Sequence, residues 1–154
     1  MDRGKLGVKR SVLIEGHGAP LNVVIDCANR HDSKLLEETL VTLPIPRPRP
    51  VDHGPQNVCL DKGYGYDFVR EILTRLEFVG HVRPITQESS AVRCDPGKPP
   101  RRWKVERTLS WYNRFRGLLI RWSKKPANHL ALLHLASAAI TLQLGYASAD
   151  CLFG

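Results

Sequence analysis

Short runs of β-branched and aliphatic residues alternate with polar turns over the first part of the chain. Two such runs, Lys9 to Glu15 and Leu21 to Cys27, flank a turn that contains two glycines and a proline, so they predict an antiparallel hairpin. The next run, Ser33 to Thr42, has leucines at helical spacing and predicts a helix capped by Asp32 or Ser33. The chain is therefore expected to begin with two strands and a helix.

A proline-rich segment divides this first part from the next set of elements. Five prolines between Leu43 and Pro55 exclude a helix there and predict an extended surface connection. A buried strand is then expected over Asn57 to Leu60, a helix over Tyr66 to Leu76 and a strand over Glu77 to Val82. Because strands and helices alternate, the pattern predicts an α/β fold, with a mixed sheet flanked by helices.

Two helices are expected in the last third of the chain. The segment from Arg101 to about Trp122 runs at helical period, with a broad apolar arc and a basic stripe of three arginines at heptad spacing, Arg107, Arg114 and Arg121. Ala127 to Tyr146 is uncharged and apolar on nearly all faces, so we predict a buried helix with His134 as a core histidine. Both helices should cover the sheet.

Charge narrows the kind of partner. A chain of 154 residues is normally one domain, and a formal net charge of +8 with a pI near 9.6 favours an anionic partner. We expect nucleic acid and not a membrane, because no long uncharged apolar span clearly suits a bilayer. The four cysteines are scattered without a close pair, which favours a reducing cytoplasm over a zinc knuckle or a disulfide framework.

One carboxylate stands out within the most basic part of the chain. Between Lys98 and Lys125 there are ten Lys or Arg residues and a single acid, Glu106. On a helix, Arg102 lies one turn before it and Asn113 about two turns after it on the same face. A carboxylate would repel phosphate in such a surface unless a divalent metal lay between them.

A second carboxylate, Asp61, follows a predicted strand directly, at the edge of an α/β sheet where ligands gather. Two hard carboxylates can hold Mg²⁺ and leave positions for water and phosphate oxygens, so Asp61 and Glu106 are a candidate metal pair. The alternative is structural: Asp61 caps a helix, and Glu106 forms a salt bridge with Arg102 or Arg107.

Several blocks of the sequence resemble the DDE-type transposases of bacterial insertion sequences, specifically the insertion sequence 5 group. The resemblance rests, in order, on DRGKLGVKRSVLIEGHGAPLNVVIDCANRHDSKLLEETL, VCLDKGYGYD, RRWKVERTLSWYNRFRGLLIRW and HLALLHLASAAI. It implies a ribonuclease-H-like catalytic domain over residues 1–154 that cuts DNA at transposon ends and joins them to target DNA. Asp61 and Glu106 then match the second and third catalytic acids, with Mg²⁺ or Mn²⁺ as the cofactor.

The resemblance adds two positions to the basic stripe as candidate DNA contacts. Arg102 matches the arginine of the third-acid signature, whereas Asn113 stands where many relatives have lysine and Pro99 where a tyrosine is expected. Together with the stripe, the candidate DNA-binding residues are Arg102, Arg107, Asn113, Arg114 and Arg121.

The family's first catalytic aspartate normally lies on a strand upstream of the block that begins DRGKLG. We therefore expect that strand, and any DNA-binding domain, to be missing, which makes the sheet incomplete and the chain inactive alone. A split gene completed by an upstream reading-frame product and a decaying copy both fit, and the complete protein is expected to form a homo-oligomer. A non-catalytic DNA-binding or regulatory protein is the alternative function.

Overall fold

A computed structural model describes residues 7–49, 54–82 and 102–153, with side chains omitted for residues 102, 103 and 146–153. In chain order its elements are β1 (Val8–Ile14), β2 (Pro20–Cys27), a 3-10 turn (Asp32–Leu35), α1 (Leu36–Val41), β3 (Gln56–Leu60), a 3-10 turn (Lys62–Tyr64), α2 (Asp67–Arg75), β4 (Phe78–Val82), α3 (Arg102–Asn113), α4 (Arg116–Leu119) and α5 (Pro126–Phe153).

The predicted hairpin is confirmed. β1 and β2 are antiparallel, with Val12 opposite Val23 and Leu13 opposite Asn22. Because neighbouring strand residues point to opposite faces, Val12 and Val23 face α5, whereas Leu13 packs on the side of α1. The hairpin is thus a thin layer covered on both faces by helices.

The strand–helix–strand unit is also confirmed. β3 and β4 are parallel, with Gln56 opposite Phe78 and Leu60 opposite Val82, and α2 connects them. Together with α1 they enclose a cluster of buried side chains that we call the α2 core: Leu36, Leu40, Val58, Val69 and Leu73. The helical cap before α1 is His31, whose side chain accepts from the N–H of Ser33, so the predicted caps Asp32 and Ser33 are wrong.

The α/β class is confirmed, but a single mixed sheet is not. Within the described ranges the strands form two separate two-stranded sheets, one antiparallel and one parallel. α1 contacts both strands of the hairpin, while its Leu36 and Leu40 belong to the α2 core, so this helix lies between the two sheets. The ribonuclease-H-like arrangement stays a prediction.

The predicted helix from Arg101 to about Trp122 is wrong in its second half. α3 ends at Asn113, a tight turn follows, and Phe115 adopts an extended conformation before the single turn of α4. Tyr112 and Leu118 are both buried in one cluster, although in a continuous helix their side chains would point about 120° apart. Breaking the helix buries both side chains, and Trp122 is left 79% exposed.

The helix predicted over residues 127–146 was expected to be buried, but over residues 126–145 only one face of α5 is buried. Leu133, Ala136 and Ile140 are buried with Val23, Tyr112 and Leu118, a cluster that we call the α5 core. Leu135 and Leu142 on the other face are 68% and 60% exposed. His134 is exposed as well, so its assignment as a core histidine is wrong; among the described residues a different histidine, His129, is buried, one turn before Leu133.

Candidate functional site

Asp61 lies directly after β3, as the sequence predicted, and its carboxylate is exposed. Its backbone is extended, and Oδ1 accepts a hydrogen bond from the N–H of Lys62 at 2.8 Å. The residue therefore caps the 3-10 turn Lys62–Tyr64. One carboxylate oxygen has a structural partner, which leaves the other for a ligand.

A second acid, Asp32, lies near Asp61 around the Tyr64 side chain. Burial raises the pKa of Tyr64 to about 12, and the negative charges of Asp32 and Asp61 add to that rise. Asp32 also forms an ion pair with Lys9, whose Nζ lies 3.1 Å from its Oδ1. The sequence indicates Asp32 only as a helix cap, because residues 29 positions apart along the chain carry no local signal of proximity.

Glu106 is exposed in the middle of α3. The helix that carries it is held against the β1–β2 turn by three side chains that donate to consecutive carbonyl groups. Lys104 donates to Gly16, Arg107 donates to His17, and the hydroxyl of Thr108 donates to Gly18 at 2.7 Å. Thr108 is fully buried, so this bond is shielded from competing water.

Gly18 allows the turn to approach α3 this closely. Its φ is +97°, a conformation that side-chain-bearing residues rarely adopt. A Cβ at this position would lie 2.8 Å from Nη2 of Arg107 and 3.3 Å from Oγ1 of Thr108. The position of Glu106 thus depends on a glycine in the first hairpin.

The two candidate acids belong to different parts of the molecule. Asp61 follows a strand of the α2 core, and Glu106 lies on a helix that contributes Tyr112 to the α5 core. Both carboxylates are exposed oxygen donors, the type that Mg²⁺ and Mn²⁺ prefer. Among the residues that the structure describes, no group of three or more His, Cys, Asp or Glu side chains is placed to hold a metal ion. The donors suit a metal in kind, but they are not assembled into a closed centre.

The predicted basic stripe does not lie on one helix. Arg107 is on α3, where it donates to the hairpin and its guanidinium lies 4.7 Å from the ring centre of Trp111. Asn113 and Arg114 are exposed where α3 ends. Arg121 is in the segment before α5 and donates to the carbonyl groups of Ser123 and Lys124. The side chain of Arg102 lies outside the described part.

Comparison with known proteins identifies the class. The family model of the transposase DDE domain matches residues 1–141, a stretch that includes both candidate acids. The chain therefore belongs to the transposase DDE domain family. This confirms the resemblance to DDE-type transposases of insertion sequences, while the narrower assignment to the insertion sequence 5 group stays a prediction.

The chain is also similar to a protein from a named insertion sequence. The chain is 28% identical over 142 residues to a proposed transposase for insertion sequence element IS402 from Burkholderia cepacia. The match covers 90% of this chain and 64% of that protein, so the chain spans a little under two thirds of its relative. No solved structure matches. Within the described ranges no helix has the length and apolar character needed to cross a membrane.

Proposed function

We propose that this chain supplies Asp61 and Glu106 to a transposase that cleaves DNA at the ends of an insertion sequence and joins the freed 3′ hydroxyl to target DNA. The observation that carries the proposal is the family match over residues 1–141, which contains both acids. Their exposure is consistent with a role in binding, since neither is a buried structural carboxylate.

The two acids are proposed to hold Mg²⁺ or Mn²⁺. When bound, such ions stabilise the entering and leaving oxygens of an in-line displacement at phosphorus. In this chain Asp61 is oriented by the Lys62 N–H, and Glu106 is positioned by the bonds between α3 and the hairpin turn. The DNA itself is proposed to contact Arg102, Asn113, Arg114 and Arg121. Arg107 is proposed to contact the DNA as well, in addition to its hydrogen bond to the hairpin.

The partners follow from the same proposal. DNA is the substrate, both at the ends of the element and at the target, and the complete protein is proposed to act as a homo-oligomer. A segment corresponding to the upstream part of the family is proposed to supply the first catalytic aspartate, either within a longer chain or as a separate reading-frame product.

Strand cleavage on transposon-end DNA with Mg²⁺ tests the enzymatic proposal. We expect the protein, supplied with the upstream segment, to cleave, and Asp61→Asn and Glu106→Gln each to lower the rate by at least about 100-fold. Asp67→Asn is the matched control, because Asp67 is a 92% exposed acid in the first turn of the neighbouring helix α2. Equal rates for Asp61→Asn and Asp67→Asn would reject Asp61 as a catalytic acid.

A second candidate function is non-catalytic DNA binding or regulation. It is favoured by the net charge of +8 and by the absence, among described residues, of an assembled group of metal ligands. Its signature is salt-sensitive DNA binding that Asp61→Ala and Glu106→Ala leave unchanged, without cleavage under any metal condition.

A further inference from the structure

Three aromatic side chains meet at the surface close to Asp61. They are His31, which caps the 3-10 turn Asp32–Leu35, Tyr66, which directly precedes α2, and Phe68 in the first turn of α2. The rings of Tyr66 and Phe68 are stacked, with 5.6 Å between their centres and 25° between their planes. The ring of His31 meets that of Tyr66 nearly at a right angle, with 5.5 Å between the ring centres. We call this group the aromatic cluster.

The aromatic cluster lies on the surface and belongs to neither core. Tyr66 and Phe68 are each 41% exposed, and His31 is exposed as well. None of the three side chains is part of the α2 core or the α5 core. Aromatic side chains stabilise a fold mainly by being buried, so a contiguous group of exposed rings leaves stacking surface open to a ligand.

The aromatic cluster is attached to the turn that carries Asp61. The two 3-10 turns, Asp32–Leu35 and Lys62–Tyr64, are in contact with each other. His31 directly precedes the first turn, and Tyr66 follows the second, with its N–H donating to the carbonyl of Tyr64 at 2.9 Å. Asp61 caps that second turn. A ligand on the aromatic cluster would therefore lie close to a candidate catalytic acid.

The two turns also carry positive charges that are not neutralised. Lys34 and Lys62 are exposed, and neither forms an ion pair within the described part of the chain. In contrast, Asp32 is paired with Lys9. Asp61, the remaining charged residue of the two turns, is proposed to hold a divalent metal. The surface therefore suits a ligand that combines a flat ring with a negative charge, and a nucleotide has both.

The base of such a nucleotide has to be unpaired. Within a duplex a base presents only its edges to the grooves, because its faces are covered by the neighbouring base pairs. An unpaired base exposes a face that stacks on aromatic side chains, with little dependence on sequence. The hydroxyl group of Tyr66 can in addition form a hydrogen bond with the edge of a base.

We propose that His31, Tyr66 and Phe68 form a stacking site for an unpaired base of DNA beside Asp61. The rings bind the base, and Lys34 and Lys62 attract the phosphate groups on either side of it. The choice of DNA as the ligand rests on the proposed function, in which the site holds a base that is unpaired next to the bond that is cut. The stacking itself rests on the geometry and exposure of the rings.

A blunt DNA duplex and the same duplex with a short single-stranded overhang test this site. We expect the full chain to bind the overhang duplex about fivefold or more tightly than the blunt duplex at equal salt concentration. A fluorescent base analogue in the overhang should be quenched on binding, because its face stacks on a ring.

Leucine variants separate stacking from simple apolar contact. Tyr66→Leu and Phe68→Leu should each weaken binding to the overhang duplex by about 5- to 100-fold and abolish the quenching, while affinity for the blunt duplex changes by less than about twofold. Tyr66→Phe retains the ring and should bind like the wild type. Phe115→Leu is the matched control, because Phe115 is 38% exposed and directly precedes α4, away from the two turns. Both cluster positions are exposed, so the variants should keep the wild-type Tm within about 3 °C.

The proposal is overturned if the wild type does not bind the overhang duplex more tightly than the blunt one. It is also overturned if Tyr66→Leu and Phe68→Leu lose no more affinity than Phe115→Leu. A third contrary result is a change in sedimentation of Tyr66→Leu with DNA binding unaltered, since the rings would then contact a second copy of the chain. None of these measurements requires metal or cleavage, so the catalytic proposal, tested by the rate of Asp61→Asn, can fail separately.

Discussion

The two regions that carry the candidate acids are built in different ways. Asp61 follows the first strand of β3–α2–β4, a unit of consecutive elements between residues 56 and 82. Glu106 lies on α3, whose position is fixed by side-chain bonds to a turn about 90 residues earlier in the chain. The region around Asp61 is therefore mainly local in origin, whereas the region around Glu106 depends on distant parts of the chain.

The largest expected effect compares the two cores directly. Leu133→Ala in the α5 core and Leu73→Ala in the α2 core should each cost about 2–5 kcal/mol of unfolding free energy, because both side chains are buried and leave cavities. In hydrogen exchange, Leu133→Ala should lower protection in α3 and α5 more than in β3 and β4, and Leu73→Ala should do the reverse.

Leu135→Ala is the control for the first pair of variants, since Leu135 is 68% exposed on the same helix as Leu133. Its expected cost is within about 0.5 kcal/mol. If both core variants lost protection equally in both regions, the molecule would unfold as one unit. The α2 core and the α5 core would then differ in how they are built but not in their stability.

Gly18→Ala should have the next largest effect. The alanine would have to adopt a positive φ, and its Cβ would press against Arg107 and Thr108. We therefore expect the free energy of unfolding, measured by urea denaturation, to fall by about 1–3 kcal/mol. Gly16→Ala in the same turn is the matched control, because a Cβ there meets nothing within 4 Å. Similar losses for both glycines would mean that the contact with α3 does not position the turn.

Thr108→Val tests the same contact from the side of the helix. Removing the hydroxyl leaves the carbonyl of Gly18 without that buried donor, for an expected loss of about 1–2 kcal/mol. The control is Thr74→Val, whose hydroxyl is exposed and donates only within its own helix. A Thr108→Val variant as stable as Thr74→Val would contradict a role for this bond in holding α3.

The smallest expected effect is a pH dependence that is specific to the α5 side. Because burial and the positive charges of Arg121 and Arg10 lower the folded-state pKa of His129 below its value in the unfolded chain, about 6.5, the unfolded state binds the proton more readily. The contribution of the neutral His129 side chain to stability is therefore fully present above about pH 6.5, and it is lost as the pH falls through the folded-state pKa. His129→Gln should flatten this part of the curve, whereas His134→Gln, at an exposed position, should leave it unchanged.

The local patterns of the sequence predicted the region around Asp61 well. Alternating apolar residues and turn glycines located β1, β2, β3 and β4 to within one or two residues, because these signals act over a few positions. The same signals placed Asp61 at the end of its strand. They did not show that Asp32 lies near it, since that proximity arises from the packing of two turns against each other.

The region around Glu106 was predicted less well for a physical reason. The apolar arc from Arg101 to Trp122 is a genuine helical pattern, but the buried positions of Tyr112 and Leu118 are set by α5 and β2, not by their own segment. Their joint burial stabilises a break that local propensity does not require. The exposed face of α5 was missed likewise, because composition alone does not show which side of an apolar helix is covered.

The bonds between α3 and the hairpin turn also set an order of events during synthesis. Gly18 leaves the ribosome about 90 residues before Thr108. At roughly 5–20 residues per second, the turn waits about 5–18 s for its partner. Val23 waits longer still for Leu133, with its apolar face uncovered. The nascent chain should therefore be most vulnerable to aggregation and to capture by chaperones in that interval, well after its first strands have paired.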